Sequence, residues 1–433
     1  MDYKKTTLNN GLRVITIPMP SLESVTVTVW IKTGSRNENS KNSGVSHFLE
    51  HMFFKGTTNR PTAKQIAEEI DSIGGIQNAG TAKEYTEYYI KCRADKVETA
   101  FNLLSDMTLN SLLDATEIER EKGTIIEEIR MYEDTPMINI GEVFEGLIYS
   151  GHTLEMDIAG TEKTVGGMKR NDFIDYRKSF YTAENMILTV AGGVTEKESL
   201  DLANKYFEKL PTSKVIDLDN KFKVSQSAPK VKLHSKKKEQ AHIILGYIAD
   251  GKNYKNKYAQ TILSTILGGG SSSRMFTEVR ERRGLAYSIR TSMDRYTDIG
   301  YLGTYAGLDT KRAEEAVKVM LDEHQKIANS PMRSSSAITT QELTKSKEYL
   351  KGHLALALED TSDVSSFFGD QELFSDEVLT PEEVFKKIDK VTMDEVNFEA
   401  KRLFVPERVN LAIIGPYEND NEFVKILRWK VNL

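Results

Sequence analysis

The sequence holds a single cysteine, Cys92, among 433 residues. That excludes a disulfide framework within the chain and argues against a cysteine-based metal site; Cys92 itself reads as a small, half-buried strand residue. Long apolar runs are missing too. Nothing approaches the ~18–20 residues that a membrane-spanning helix needs, and Lys4-Lys5 near the start is not followed by the apolar stretch of a secretory signal. Basic charge is not in excess: 58 Lys+Arg stand against 64 Asp+Glu, a formal net charge of −6. A nucleic-acid binder usually shows a basic balance or stripe, and Lys236-Lys237-Lys238 is too short to supply one; it reads as a solvated loop. The run Gly268-Gly269-Gly270-Ser271-Ser272-Ser273 lacks the Gly-Lys-Ser/Thr ending of a phosphate loop, so nucleotide binding is not expected. The expectation that remains is an acidic, soluble, cytoplasmic protein that meets neither membrane nor nucleic acid. Its 39% apolar content, with the glycines added, is enough for a sizeable core and for about two or three domains at this length.

The chain reads as two halves of one design. The stretch Ser24-Val25-Thr26-Val27-Thr28-Val29-Trp30 alternates and is rich in β-branched residues, which is a strand signature. Thr33-Gly34 ends it, and after a polar stretch Ser43-Gly44 opens an amphipathic helix to about residue 54. In the second half Ala241 to Tyr247 reads as a strand, Asp250-Gly251 ends it, and a helix follows from about Lys255 to Leu267. Gly34 and Gly251 lie 217 positions apart. A second pair of units, strand Glu87–Lys91 with a helix capped by Asp95 and strand Gly300–Tyr305 with a helix capped by Asp309, repeats at an offset of 214. Two offsets near half the chain length predict a duplicated domain. The fold class expected is α+β: two homologous domains, each a mostly antiparallel sheet packed with helices. The boundaries are 1–214 and 233–433, with the Pro- and Ser-containing stretch 215–232 as linker.

One motif carries chemistry. The first-half helix contains His47-Phe48-Leu49-Glu50-His51. Residues i, i+3 and i+4 share one helical face, so the two imidazoles can close on one metal ion with Glu50 beside them. Two histidines and a carboxylate with an open position form a catalytic zinc site. Zinc acidifies water and polarises a carbonyl, and a neighbouring carboxylate relays the proton to the leaving amine. Phe48, Leu49, Met52, Phe53 and Phe54 predict a mostly buried helix, and buried histidines need partners. A third ligand is sought in the acid-rich helix Glu117–Arg130. Glu121 and Glu128 are seven apart and nearly share a face, which suits Glu128 to the metal and Glu121 to orienting a ligand. Glu127 points about 100° away, but spacing alone leaves the choice open.

His47 to His51 followed by Met52, then Phe54-Lys55-Gly56-Thr57, Glu119-Arg120-Glu121-Lys122-Gly123 and Glu127-Glu128, resembles the inverzincin peptidases of the pitrilysin/insulinase family (M16), in particular their mitochondrial-processing-peptidase-like branch. The resemblance runs from Leu8-Asn9-Asn10-Gly11-Leu12 to the C-terminal domain. Counting by the family's spacing lands on Glu127, whereas the position five residues after Gly123 lands on Glu128; Glu128 is taken as third ligand, with Glu127 as runner-up. The family's second important glutamate matches Glu121. Gly75-Ile76-Gln77-Asn78-Ala79 resembles the strand that pairs with substrate backbone, which implies Asn78 and Ala79 as substrate contacts; position 80, often aromatic in the family, is glycine. Val279 to Ser288 resembles the family's Arg/Tyr segment, which implies that Arg280 and Tyr287 hold the substrate carbonyl and the developing oxyanion. The positions matching the zinc motif in the second half, around Thr261 to Ser264, offer no ligand.

The family builds a chamber of four such domains, so a two-domain chain resembles half of one. The expectation is a homodimer in which Arg280 and Tyr287 of one subunit complete the zinc site of the other. The function expected is a zinc endopeptidase for short or unfolded polypeptides, one Zn2+ per chain, with Glu50 as general base. The alternative is a non-catalytic or partner-dependent subunit of a processing-peptidase-like complex.

Overall fold

The computed structural model describes residues 1–213, 220–329 and 337–429. Of the expected linker, 215–219 lie outside the described residues, and its last residues already enter strand Lys230–Ser235. Two sheets organise the chain. The first contains β1 (Lys4–Thr7), β2 (Arg13–Pro18), β3 (Ser24–Ile31), β4 (Ile76–Thr81), β5 (Thr86–Arg93) and β6 (Met186–Gly192), in the order β1-β2-β6-β3-β5-β4. The second contains β7 (Lys230–Ser235), β8 (Gln240–Asp250), β9 (Ala286–Arg295), β10 (Ile299–Asp309) and β11 (Val409–Gly415), in the order β7-β11-β8-β10-β9.

Without β1 the orders are the same, and so are the directions. In each sheet one parallel pair, β2 with β6 or β7 with β11, is followed by antiparallel pairs. The sheets are therefore mixed, antiparallel but for that one pair. The two glycines matched in sequence are also equivalent in structure. A Cβ on Gly34 would lie 2.0 Å from the Ala82 carbonyl, and one on Gly251 would lie 2.5 Å from the Thr297 carbonyl. Each lets its strand end press on the turn of the neighbouring hairpin, where any side chain would collide.

The two aspartates expected as helix caps do something else. Asp95 is engaged by the Arg93 guanidinium at 3.0 and 2.7 Å, and the helix Val97–Asn110 starts after a short 3-10 turn without a side-chain cap. Asp309 ends β10 and accepts the Lys311 amide at 2.9 Å, in a turn that precedes the helix Ala313–Asn329. Aspartate serves turns as readily as caps, which is why the spacing misleads.

Each compact unit draws on three stretches of chain: 1–131, 156–219 and 355–382 form one, and 132–155, 220–354 and 383–433 the other. Late residues thus cover the first sheet. The helix Thr361–Phe374 lies on the threonine face of β3: Thr26 shares a hydrogen bond with Thr361 (2.8 Å), and Thr28 with Ser365 (2.7 Å). Gly369 admits the Trp30 ring, since a Cβ there would stand 2.5 Å from it. Conversely the helix Pro136–Ile148 packs Ile140, Val143, Phe144 and Ile148 against Ile244, Tyr301 and Ala412 of the second sheet. Among the described residues no helix is long and apolar enough to cross a membrane.

Candidate metal centre

The motif helix, Val45–Phe53, starts at Gly44, whose φ of +93° suits glycine and whose Cβ would strike the Ala159 carbonyl at 2.6 Å. Its first amides are met from outside. The buried Glu38 carboxylate accepts the Gly44 and Ser46 amides at 2.7 and 2.8 Å and the Ser46 hydroxyl as well. Burial pushes this carboxyl up to about 7 despite those donors. Val45, Phe48, Leu49, Met52 and Phe53 face the core, with Phe53 stacked on Tyr88 at 5.1 Å and Phe48 edge-on to Phe173 at 4.7 Å. That burial fixes the helix rotation and leaves His47, Glu50 and His51 together on the remaining face.

The acid-rich helix spans Ala115–Asp134 and buries Ile118, Glu121, Ile125 and Ile129. Glu128 follows Glu121 on that side. Glu127 does not: it is exposed and paired with Arg130 at 2.7 Å. One donor atom each from His47, His51 and Glu128 lies within 4.8 Å of the others. Glu128 Oε2 stands 3.7 Å from His47 Nε2 and 3.5 Å from His51 Nε2. Those separations are too long for hydrogen bonds. Ligand atoms ~2.0–2.2 Å from a tetrahedral zinc stand roughly 3.3–3.6 Å apart, so the donor set and its spacing fit that ion. Burial and the neighbouring His51 bring His47 down to about 4, which keeps its imidazole neutral and able to ligate at neutral pH.

Glu121 sits behind this triad. One of its oxygens takes His51 Nδ1 at 2.9 Å, and the other takes Lys55 Nζ at 2.6 Å. Against burial, which raises it, these bonds hold the Glu121 carboxyl below the ordinary range. An ionised carboxylate on Nδ1 selects the tautomer that presents Nε2 to a metal. His47 Nδ1, by contrast, is buried with no partner among the described residues. We therefore expect Glu121→Ala to weaken zinc binding ~10–100-fold without removing a ligand, measured by competition with a chelating dye; an unchanged affinity discards the role.

Glu50 Oε2 accepts the Thr81 hydroxyl at 2.6 Å. Burial raises its carboxyl above the usual range, and the carboxylate feels the charges of His51 and Glu128. Glu87, pushed up to about 7 by burial and by Glu50, is a further acid nearby. Lys55, Thr81 and Glu87 carry no role in the sequence reading. Lys55 is four residues after His51, so helical spacing is the signal that could have found it; Thr81 and Glu87 meet the site only through strand pairing.

Asn78 and Ala79 lie on β4, the edge of the first sheet, which pairs with β5 on one side only. Asn78 is exposed and bonds the Ala79 amide at 3.0 Å. Gly80 leaves space, a Cβ there meeting only Glu87, at 3.7 Å or more. In the other unit, Arg280 lies on the π-helical turn Phe276–Glu281 with its guanidinium 4.6 Å from the Phe276 ring and 5.8 Å from that of Tyr287. Tyr287, at the start of β9, is 80% exposed. The helix Lys257–Gly268, matching the motif helix, carries Gln260, which donates to Asp250 at 2.7 Å and Glu399 at 3.0 Å. Glu399 also pairs with Arg402 at 2.8 Å.

The family profile of insulinase (peptidase family M16) matches residues 13–162, and that of the peptidase M16 inactive domain matches residues 167–350. Relatives named as uncharacterized zinc proteases include one from Mycobacterium leprae, 34% identical over 99% of this chain and 95% of its own. Another, from Bacillus subtilis, is 35% identical over 96% of this chain and 99% of its own. Among solved structures, a protease from Helicobacter pylori superposes with a TM-score of 0.87 at 23% identity, covering 95% of this chain and 99% of that one.

Proposed function

The chain belongs to peptidase family M16, the insulinase family, and on that premise we propose that it is a zinc-dependent endopeptidase of short or unfolded polypeptides. The observation that carries this reading is the convergence of His47, His51 and Glu128 at metal-ligand spacing, with Glu50 on the same helical face. These three residues would hold one Zn2+ per chain. When bound, zinc supplies Lewis acidity, polarising the scissile carbonyl and making water a better nucleophile.

The chain's own residues do the rest. Glu50, on the same helical face as the two histidines, takes the proton of the attacking water and passes it to the leaving amine. Glu121 holds the His51 ring. β4 offers its free edge to an extended peptide, with Asn78 and Ala79 against the substrate backbone; main-chain pairing of that kind selects shape over sequence. Arg280 and Tyr287 are the donors for the oxygen that becomes charged, and in this reading they come from a second copy of the chain. What supports their role as donors is their chemistry: a guanidinium beside an exposed phenol.

The test is cleavage of a quenched fluorescent, unstructured peptide by purified protein. We expect turnover that a chelator abolishes and zinc restores. Turnover that persists in chelator overturns the zinc mechanism, and no turnover by zinc-loaded protein overturns the peptidase reading of the chain by itself.

A further inference from the structure

We infer that Thr81 is a positioning residue for Glu50, tying the general base to the strand on which substrate would lie; the inference rests on the peptidase reading above. Thr81 is the last residue of β4, and its hydroxyl reaches Glu50 Oε2 at 2.6 Å. Among the described residues this is the one side-chain donor to Glu50, and the Thr81 backbone amide faces the same carboxylate. Glutamate has three side-chain torsions and, on the open face of a helix, samples several rotamers. A short hydroxyl bond from a fixed residue, with that residue's amide beside it, removes most of that freedom.

The donor is fixed. Threonine is β-branched and stiff at χ1. Thr81 pairs with Thr86 in the β4–β5 ladder, and the buried Thr86 hydroxyl is itself held by the Thr33 carbonyl at 3.0 Å. An ionised carboxylate only accepts hydrogen bonds. The Thr81 hydroxyl must therefore donate to Oε2, which fixes the carboxylate's orientation while Oε1 stays open to accept a proton. The same strand carries Asn78 and Ala79, three and two residues back, so a peptide laid along β4 and the base that serves it are registered on one element. A change at Thr81 then acts on the base more than on binding.

The experiment compares Thr81→Val, which keeps the shape and loses the hydroxyl, with Thr81→Ser, which keeps the hydroxyl. On the quenched peptide, Thr81→Val is expected to lower kcat ~10–100-fold, the scale of a misplaced catalytic group. KM stays within about twofold and zinc content does not change; Thr81→Ser recovers most of kcat. In crystals, Glu50 of Thr81→Val is expected to leave its place beside β4. The inference is overturned by a Val variant with unchanged kcat, by joint loss of kcat, KM and zinc, or by Ser performing as poorly as Val. If the unaltered, zinc-loaded protein cleaves nothing, the peptidase reading falls separately. The crystal comparison then decides alone: Glu50 unmoved in Thr81→Val overturns the inference, and Glu50 displaced supports the positioning contact.

Discussion

Glu50→Gln is expected to lower peptide cleavage by ~10²–10⁴-fold, the usual worth of a general acid–base group, while zinc still binds. Glutamine keeps the size of the side chain and can still accept the Thr81 hydroxyl, but it cannot take a proton. The three atoms at metal spacing belong to other residues, so metal content separates this loss from loss of the site. The pH profile of the unaltered protein should agree. A base must be ionised, so activity is present above the Glu50 pKa and falls as pH drops through it. Burial raises that pKa and the charge of a bound Zn2+ would lower it, so the acid limb of the zinc-loaded protein, compared with the titration of Glu50 in the metal-free protein, should lie at the lower pH. Full activity in Glu50→Gln would remove the residue from the mechanism.

Glu128→Ala should do more to the metal than any change behind it. Removing a ligand leaves two imidazoles, and zinc affinity should fall by more than the ~10–100-fold expected when an outer partner is lost, with cleavage lost alongside. Glu127→Ala is the control. Glu127 is exposed and paired with Arg130, a surface ion pair worth little, so its removal should leave zinc and activity near the unaltered protein. The two substitutions are adjacent on one helix and equal in size, so a non-specific effect on the helix would strike both. The reverse pattern, zinc lost with Glu127 and kept with Glu128, would reassign the third position. Both are read by metal analysis after dialysis beside the peptide assay.

These outcomes bear on how far the residues alone could be read. His47, Glu50 and His51 were legible because helical geometry turns a five-residue spacing into a shared face, and the apolar neighbours say which face is left. The duplication was legible for a similar reason: a glycine that must admit a carbonyl at 2.0 or 2.5 Å cannot drift, so it marks the same place in both halves. The helix caps were misread because an aspartate beside a strand end serves a turn as well as a helix, and local sequence does not choose. The choice between Glu127 and Glu128 is of another kind. One residue on a helix is a rotation of about 100°, and the rotation is set by Ile118, Ile125 and Ile129 packing into a core that the helix itself does not contain.

The sequence by itself determined the local elements, the repeated plan and the chemistry of the motif helix, because those follow from periodicities of a few residues. Tertiary structure decided what long-range pairing alone can set. Thr81 and Glu87 reach the motif through strand register, across 31 and 37 positions of chain. Lys55 becomes part of the site because Glu121, 66 residues later, bridges it to His51. The threonine face of β3 alternates as if it were meant for water, yet Thr26 and Thr28 are buried under a helix more than 330 residues away. An alternating strand states only that its faces differ; which face is wet depends on what the rest of the chain lays over it.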